Sequence, residues 1–123
     1  MDTKNNVNIN NQDDTHNELT PIIISNSYIK KYYLDNRLEV LPKEIKNEVK
    51  KELMKFTEEV GGIILVMYDN IDSKIFFRVA KVDDDIGFDE INANYKLSKL
   101  ERENAETFDQ IAEFCKFKFN GLV

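Results

Sequence analysis

The sequence predicts an α+β fold, a small three-stranded antiparallel sheet packed by two helices, in the order β-α-β-β-α after an N-terminal tail. Three observations predict it. Ile45, Val49, Leu53, Phe56 and Val60 step by four, four, three and four, which lays one apolar stripe along a helix. Ile63 to Tyr68 is apolar at every position, as in a strand covered on both faces, and Lys74 to Val82 alternates after it. From Leu97 onward, Leu100, Asn104, Phe108, Ile111, Cys115 and Phe119 recur at threes and fours, the period of a second helix.

Each element has a local reason. Residues 1–20 are rich in Asn, Asp and Thr, hold few residues that could anchor a core and read as a disordered acidic tail, leaving 21–123 as a single domain. Ile22, Ile23 and Ile24 form a β-branched run suited to the first strand, Ile22–Ser25. In the following SNSYIKKYYLDNR, Tyr28, Tyr32 and Tyr33 could make a helical turn closed at Asp35-Asn36, and the pattern alone fixes neither helix nor strand. Leu41-Pro42 opens the helix Pro42–Val60, because proline in a first turn loses no needed hydrogen bond. Gly61-Gly62 closes it, since glycine reaches left-handed backbone without steric cost. The polar DNIDS, Asp69 to Ser73, turns Ile63–Tyr68 back into Lys74–Val82 as a hairpin. Asp83 to Asp85 precede the last helix, Phe88–Phe119, and Asp89-Glu90 stand at its start, where carboxylates suit a helix N-terminus; Asn120-Gly121 ends it.

Composition narrows function. A chain of 123 residues with net charge −6 is one acidic domain, which repels phosphate backbones at long range and argues against nucleic acid. Its longest apolar run is too short to cross a bilayer, no export signal is visible, and the expected site is cytoplasmic, with no membrane partner. The lone cysteine, Cys115, excludes an internal disulfide.

The chemistry-bearing motifs resolve into structural roles. FTEEVGG, Phe56 to Gly62, sets carboxylates beside a glycine pair, yet a phosphate loop needs strand before and helix after, and here the order is reversed. Glu58 and Glu59 are adjacent on a helix, about 100° apart, and do not converge on one substrate. Zinc hydrolysis needs several protein ligands, and His16 and Cys115 are the only histidine and cysteine, so no metal site and no cofactor are expected. In DDDIGFDE, taking Gly87 as the sixth position of a calcium loop puts Val82 first and Ile86 fifth, where neither can ligate. Cys115 falls on the apolar stripe and reads as a buried small hydrophobe. Tyrosines among Lys30, Lys31 and Arg37 could stack bases, but rings half-buried at a sheet edge explain the same letters. No catalytic residue is assigned.

Surplus apolar surface is what remains. Phe114 and Phe117 lie off the main stripe of the last helix, and Phe76 lies on the face of its strand opposite Phe77. Contiguous exposed aromatics mark interfaces. Asn104 within the stripe reads as a lone amide fixing the register of a helical seam, unless the tyrosine segment or first strand covers both features within one chain. The expected function is therefore a non-catalytic protein–protein interaction module that self-associates as a homodimer, with Phe114, Phe117 and Phe76 at the interface. The alternative is a small-molecule-binding protein or enzyme whose carboxylate/tyrosine site forms between subunits.

The stretches Ser27-Tyr28 with Lys31-Tyr32-Tyr33, Leu41-Pro42 with Ile45-Lys46-Asn47-Glu48, Phe56 to Gly62, and Phe88-Asp89-Glu90-Ile91 carry a resemblance. The chain from about Ile24 to Asn120 resembles a family of short, uncharacterised clostridial proteins, a domain of unknown function. That resemblance implies a bacterial, cytoplasmic origin and transfers no site residue.

Overall fold

The computed structural model describes residues 19–120. Residues 1–18 of the tail expected over 1–20, His16 among them, and the helix stop at Gly121 lie outside the described residues. Strand β1 spans Leu19–Asn26 and strand β2 Lys31–Leu34; a 3-10 helix, Asn36–Val40, leads to helix α1, Lys43–Val60. Strands β3, Ile63–Asp69, and β4, Lys74–Ala80, follow, and then helices α2, Glu90–Glu103, and α3, Ala105–Asn120.

The α+β class holds, with three corrections. The sheet has four antiparallel strands in the order β2-β1-β3-β4, not three. The extra strand is Lys31–Leu34, from the stretch whose pattern was undecided. It pairs with β1 from Asn26↔Lys31 to Ile23↔Leu34. Leu19 and Thr20, counted with the tail, are strand residues paired to Asp69 and Tyr68. The last helix is two helices, which meet at Asn104. Asn104 adopts φ −119° and ψ 22°, its amide donates to the Leu100 carbonyl, and its side-chain Nδ2 donates to the same oxygen at 3.0 Å. Its polarity within the stripe thus marks a helix end.

Strand parity separates the two faces of the sheet. Ile64, Val66 and Tyr68 of β3 stand beside Val79, Phe77 and Ile75 of β4, with Ser25 and Ile23 of β1 and Tyr32 and Leu34 of β2 in the same rows. This face meets the helices. Phe77 packs edge-on against Phe108 of α3 at 4.8 Å, Tyr68 against Phe119 at 5.4 Å, and Ser25 Oγ bonds Thr57 Oγ1 of α1 at 3.0 Å. Val49, Leu53 and Phe56 of the α1 stripe, and Leu97, Leu100, Ile111 and Cys115, complete the core. Burying a side chain of this size stabilises by roughly 1.5–3 kcal/mol.

A bulge in β1 shapes the other end of the layer. Between Pro21↔Met67 and Ile23↔Val66 the register shifts, leaving Ile22 as the additional residue, so that both Ile22 and Ile23 are buried. The Ile22 carbonyl accepts the Asp35 amide at 2.8 Å, which ties the 3-10 helix to the sheet. Asp35 then caps that helix through the Arg37 amide, and its carboxylate takes both Nε and a terminal nitrogen of Arg37 at 3.0 Å. The Arg37 guanidinium lies 3.9 Å from the centre of the Phe119 ring, which joins this corner to α3.

Candidate interaction surface

The opposite face of the sheet carries Ile24 and Asn26, Lys31 and Tyr33, Ile63, Leu65 and Met67, and Lys74, Phe76, Arg78 and Ala80. Two rows cross it. Tyr33, Ile24, Leu65 and Arg78 are neighbours in one; Pro21, Met67 and Phe76 in the next. Among the described residues every aromatic or hydroxyl contact between helix and sheet lies on the other face, so these rows face outward. Tyr33 is 48 % and Phe76 49 % exposed, Ile24 and Leu65 are half-buried, and Met67 beside Phe76 is buried. A mostly apolar band on this side ends on β4.

Strand β4 has one neighbour, β3, so its outer backbone edge is unpaired among the described residues. It is seven residues long against four for β2, the other edge. Beside it runs a groove of about 520 Å³, between Ile75, Phe76 and Phe77 on one side and Ala105, Phe108, Asp109 and Ala112 on the other.

The three aromatic residues expected at an interface are not brought together. Phe76 stands on the open face. Phe117 is 49 % exposed but on the helix layer, with the sheet between it and Phe76. Phe114 is half-buried and packs against the core.

The glycine pair of FTEEVGG has φ +82° and +73°, and the Gly61 amide closes α1 on the Thr57 carbonyl at 2.9 Å. Gly62 does more than stop the helix. A Cβ there would stand 2.7 Å from the Ala80 carbonyl oxygen and 2.8 Å from the Phe88 ring, and the Gly62 carbonyl accepts both the amide and the hydroxyl of Ser27. The pair therefore seats the β1–β2 turn. Tyr28 in that turn donates its hydroxyl to Asp85 at 2.6 Å, and this bond to the carboxylate raises the phenol above its ordinary range. Asp89 caps α2 by accepting the Asn92 amide at 3.0 Å.

Sites for bond-making chemistry are poorly supplied. Glu58 lines a cleft of about 360 Å³ with Ser25, Ser27, Lys30, Lys31 and Thr57, whereas Tyr32 and Tyr33 line another of about 520 Å³ with Glu39, Lys46 and Lys50. In the second, burial first and the Glu39 charge next push the Tyr32 hydroxyl up to about 12, away from the range useful for proton transfer at neutral pH. Glu39 already sits 3.4 Å from the Lys46 ammonium. The Cys115 thiol is fully buried and burial pushes it up to about 12, which leaves almost no thiolate. Among the described residues no three His, Cys, Asp or Glu side chains gather as metal ligands, and no helix is long and apolar enough to cross a membrane.

Residues 20–122, most of the chain, match a family described as a family of unknown function, DUF6145. The chain belongs to the DUF6145 family. No curated protein and no solved structure matches it. Membership assigns no activity, and the described geometry is the ground for any reading of function.

Proposed function

We propose that this DUF6145 protein is a non-catalytic interaction module that self-associates, and that Phe76 on the open sheet face is its principal contact. The observation that carries the reading is the mostly apolar band from Tyr33 through the half-buried Ile24 and Leu65 to the β4 edge, on the face away from the helices and ending at a strand unpaired among the described residues. Burying such a band removes apolar area from water at about 25 cal/mol per Å², and an unpaired edge adds directional hydrogen bonds. Phe117, with Phe114 behind it, forms a separate patch on the helix layer and stands second. On this reading the protein acts in the cytoplasm of a bacterium, as its resemblance to clostridial proteins implies, with a second copy of itself as partner.

Sedimentation tests it. The wild type is expected to run as a dimer at tens of micromolar, Phe76→Ser as a monomer, and Phe117→Ser close to wild type. A wild-type monomer across that range removes the proposal. A Phe76→Ser dimer with a Phe117→Ser monomer moves the interface to the helix layer.

A further inference from the structure

Resting on the self-association reading, the geometry points to one specific joint: β4 pairs antiparallel with β4 of a second copy about a twofold axis at Phe77, so that Phe76 of each copy faces Arg78 of the other. Symmetry and charge select this register from few candidates. An interface between two identical edges is self-complementary, so the pairing must have a central residue facing its own copy. Keeping both helix layers on one side of the combined sheet requires residues of the same face to oppose each other.

Only three centres leave most of Lys74–Ala80 in use. Centred on Phe76, Lys74 opposes Arg78 of the other copy, and like charges directly opposite destabilise. A centre at Arg78 sets the two guanidinium groups against each other. With Phe77 at the centre, all seven residues pair. Lys74 then meets Ala80, Ile75 meets Val79, and the Phe76 ring meets the Arg78 guanidinium, an attractive cation–π arrangement. The two cations that protect an exposed edge from indiscriminate pairing thus permit one partner register. On the open face the row Tyr33, Ile24, Leu65, Arg78 continues into Phe76, Met67 and Pro21 of the second copy, so one mostly apolar band crosses an eight-stranded sheet. The groove beside β4, with Ala105 and Ala112 in its far wall, leaves the edge accessible from the helix side.

Cross-linking reads the register directly. A Phe76→Cys chain is mixed with an Arg78→Cys chain and oxidised mildly; the native Cys115 is buried and stays silent. The mixed pair keeps one intact Phe76–Arg78 contact, and each homodimer keeps none. The expected result is several-fold more disulfide dimer in the mixture than in either variant alone. Strong cross-linking of Phe76→Cys alone overturns the register in favour of a centre at Phe76, and of Arg78→Cys alone in favour of one at Arg78. In wild type, amide hydrogen exchange across Lys74–Ala80 should slow at least tenfold as concentration rises through the association range. If sedimentation gives a dimer but β4 exchange does not respond, the joint is wrong while self-association stands. A wild-type monomer removes both.

Discussion

Gly62 and Asp35 show how single residues fix this fold. Gly62 combines φ +73° with two neighbours inside 3 Å of an added Cβ, so Gly62→Ala meets both backbone strain and overpacking, together about 3 kcal/mol. Gly61 has φ +82° but open space around it, and Gly61→Ala costs the backbone part alone, about 1–3 kcal/mol. Both variants should unfold at lower urea than wild type, and only Gly62→Ala should also speed hydrogen exchange in the Lys81–Asp89 loop that carries Phe88. A Gly62→Ala midpoint equal to wild type would contradict the contact. At Asp35 the hydrogen bonds from Arg37 hold the carboxyl below its usual range, against the opposing pull of burial. A carboxyl lowered on folding contributes stability above its unfolded value near pH 4, and that contribution fades as pH falls through the folded value. Asp35→Asn should therefore be less stable than wild type at pH 7, by roughly 1–3 kcal/mol, with the gap narrowing below about pH 4. Urea titrations at three pH values measure it; a gap that ignores pH would show that the charge does not matter there.

Elements were legible where their period was long or their punctuation strong. The α1 stripe, its opening after Pro42 and its close at Gly61 all follow from the letters, and Val49, Leu53 and Phe56 are buried as the stripe requires. Strand β2 escaped because it is four residues long and its turn places Lys30 at φ +55° without a glycine or an Asn-Gly pair to announce it. The break at Asn104 escaped for a related reason. Good helix formers flank it, no Gly or Pro intervenes, and the apolar spacing runs through unbroken. Asn104 was legible as an anomaly but not as a cap, since a polar residue in a stripe fits either. The two roles separate by experiment. As a helix end, Asn104→Ala loses a local hydrogen bond, lowers stability by about 0.5–1.5 kcal/mol and leaves the association state unchanged. A changed sedimentation coefficient at unchanged stability would instead restore the seam.

At the scale of the whole molecule, one sheet has helices on one side and a mostly apolar band on the other. Phe76 was readable from the alternation of β4, because Phe77 had to face the core. Its neighbours were not, since Tyr33 and Ile24 join the same band only through the β2–β1–β3 pairing, contacts between residues far apart in sequence. The aromatic flank of α3 drew notice for the opposite reason. Helical spacing identified Phe114 and Phe117 as surplus, yet Phe114 packs onto the core. If the open face is the self-association surface proposed above, part of the stability of the chain comes from association, and mass action makes that part visible. Whatever binds only the folded state raises stability with concentration, by about 2.7 kcal/mol per dimer for a hundredfold increase. Shared between two protomers of this size, that is a rise in Tm of roughly 5 °C. The wild type should show that rise between 1 and 100 μM by the approximate scale just given, and Phe76→Ser should unfold at one temperature throughout. A wild-type Tm that does not move with concentration would mean that the open face contributes nothing to holding this chain folded.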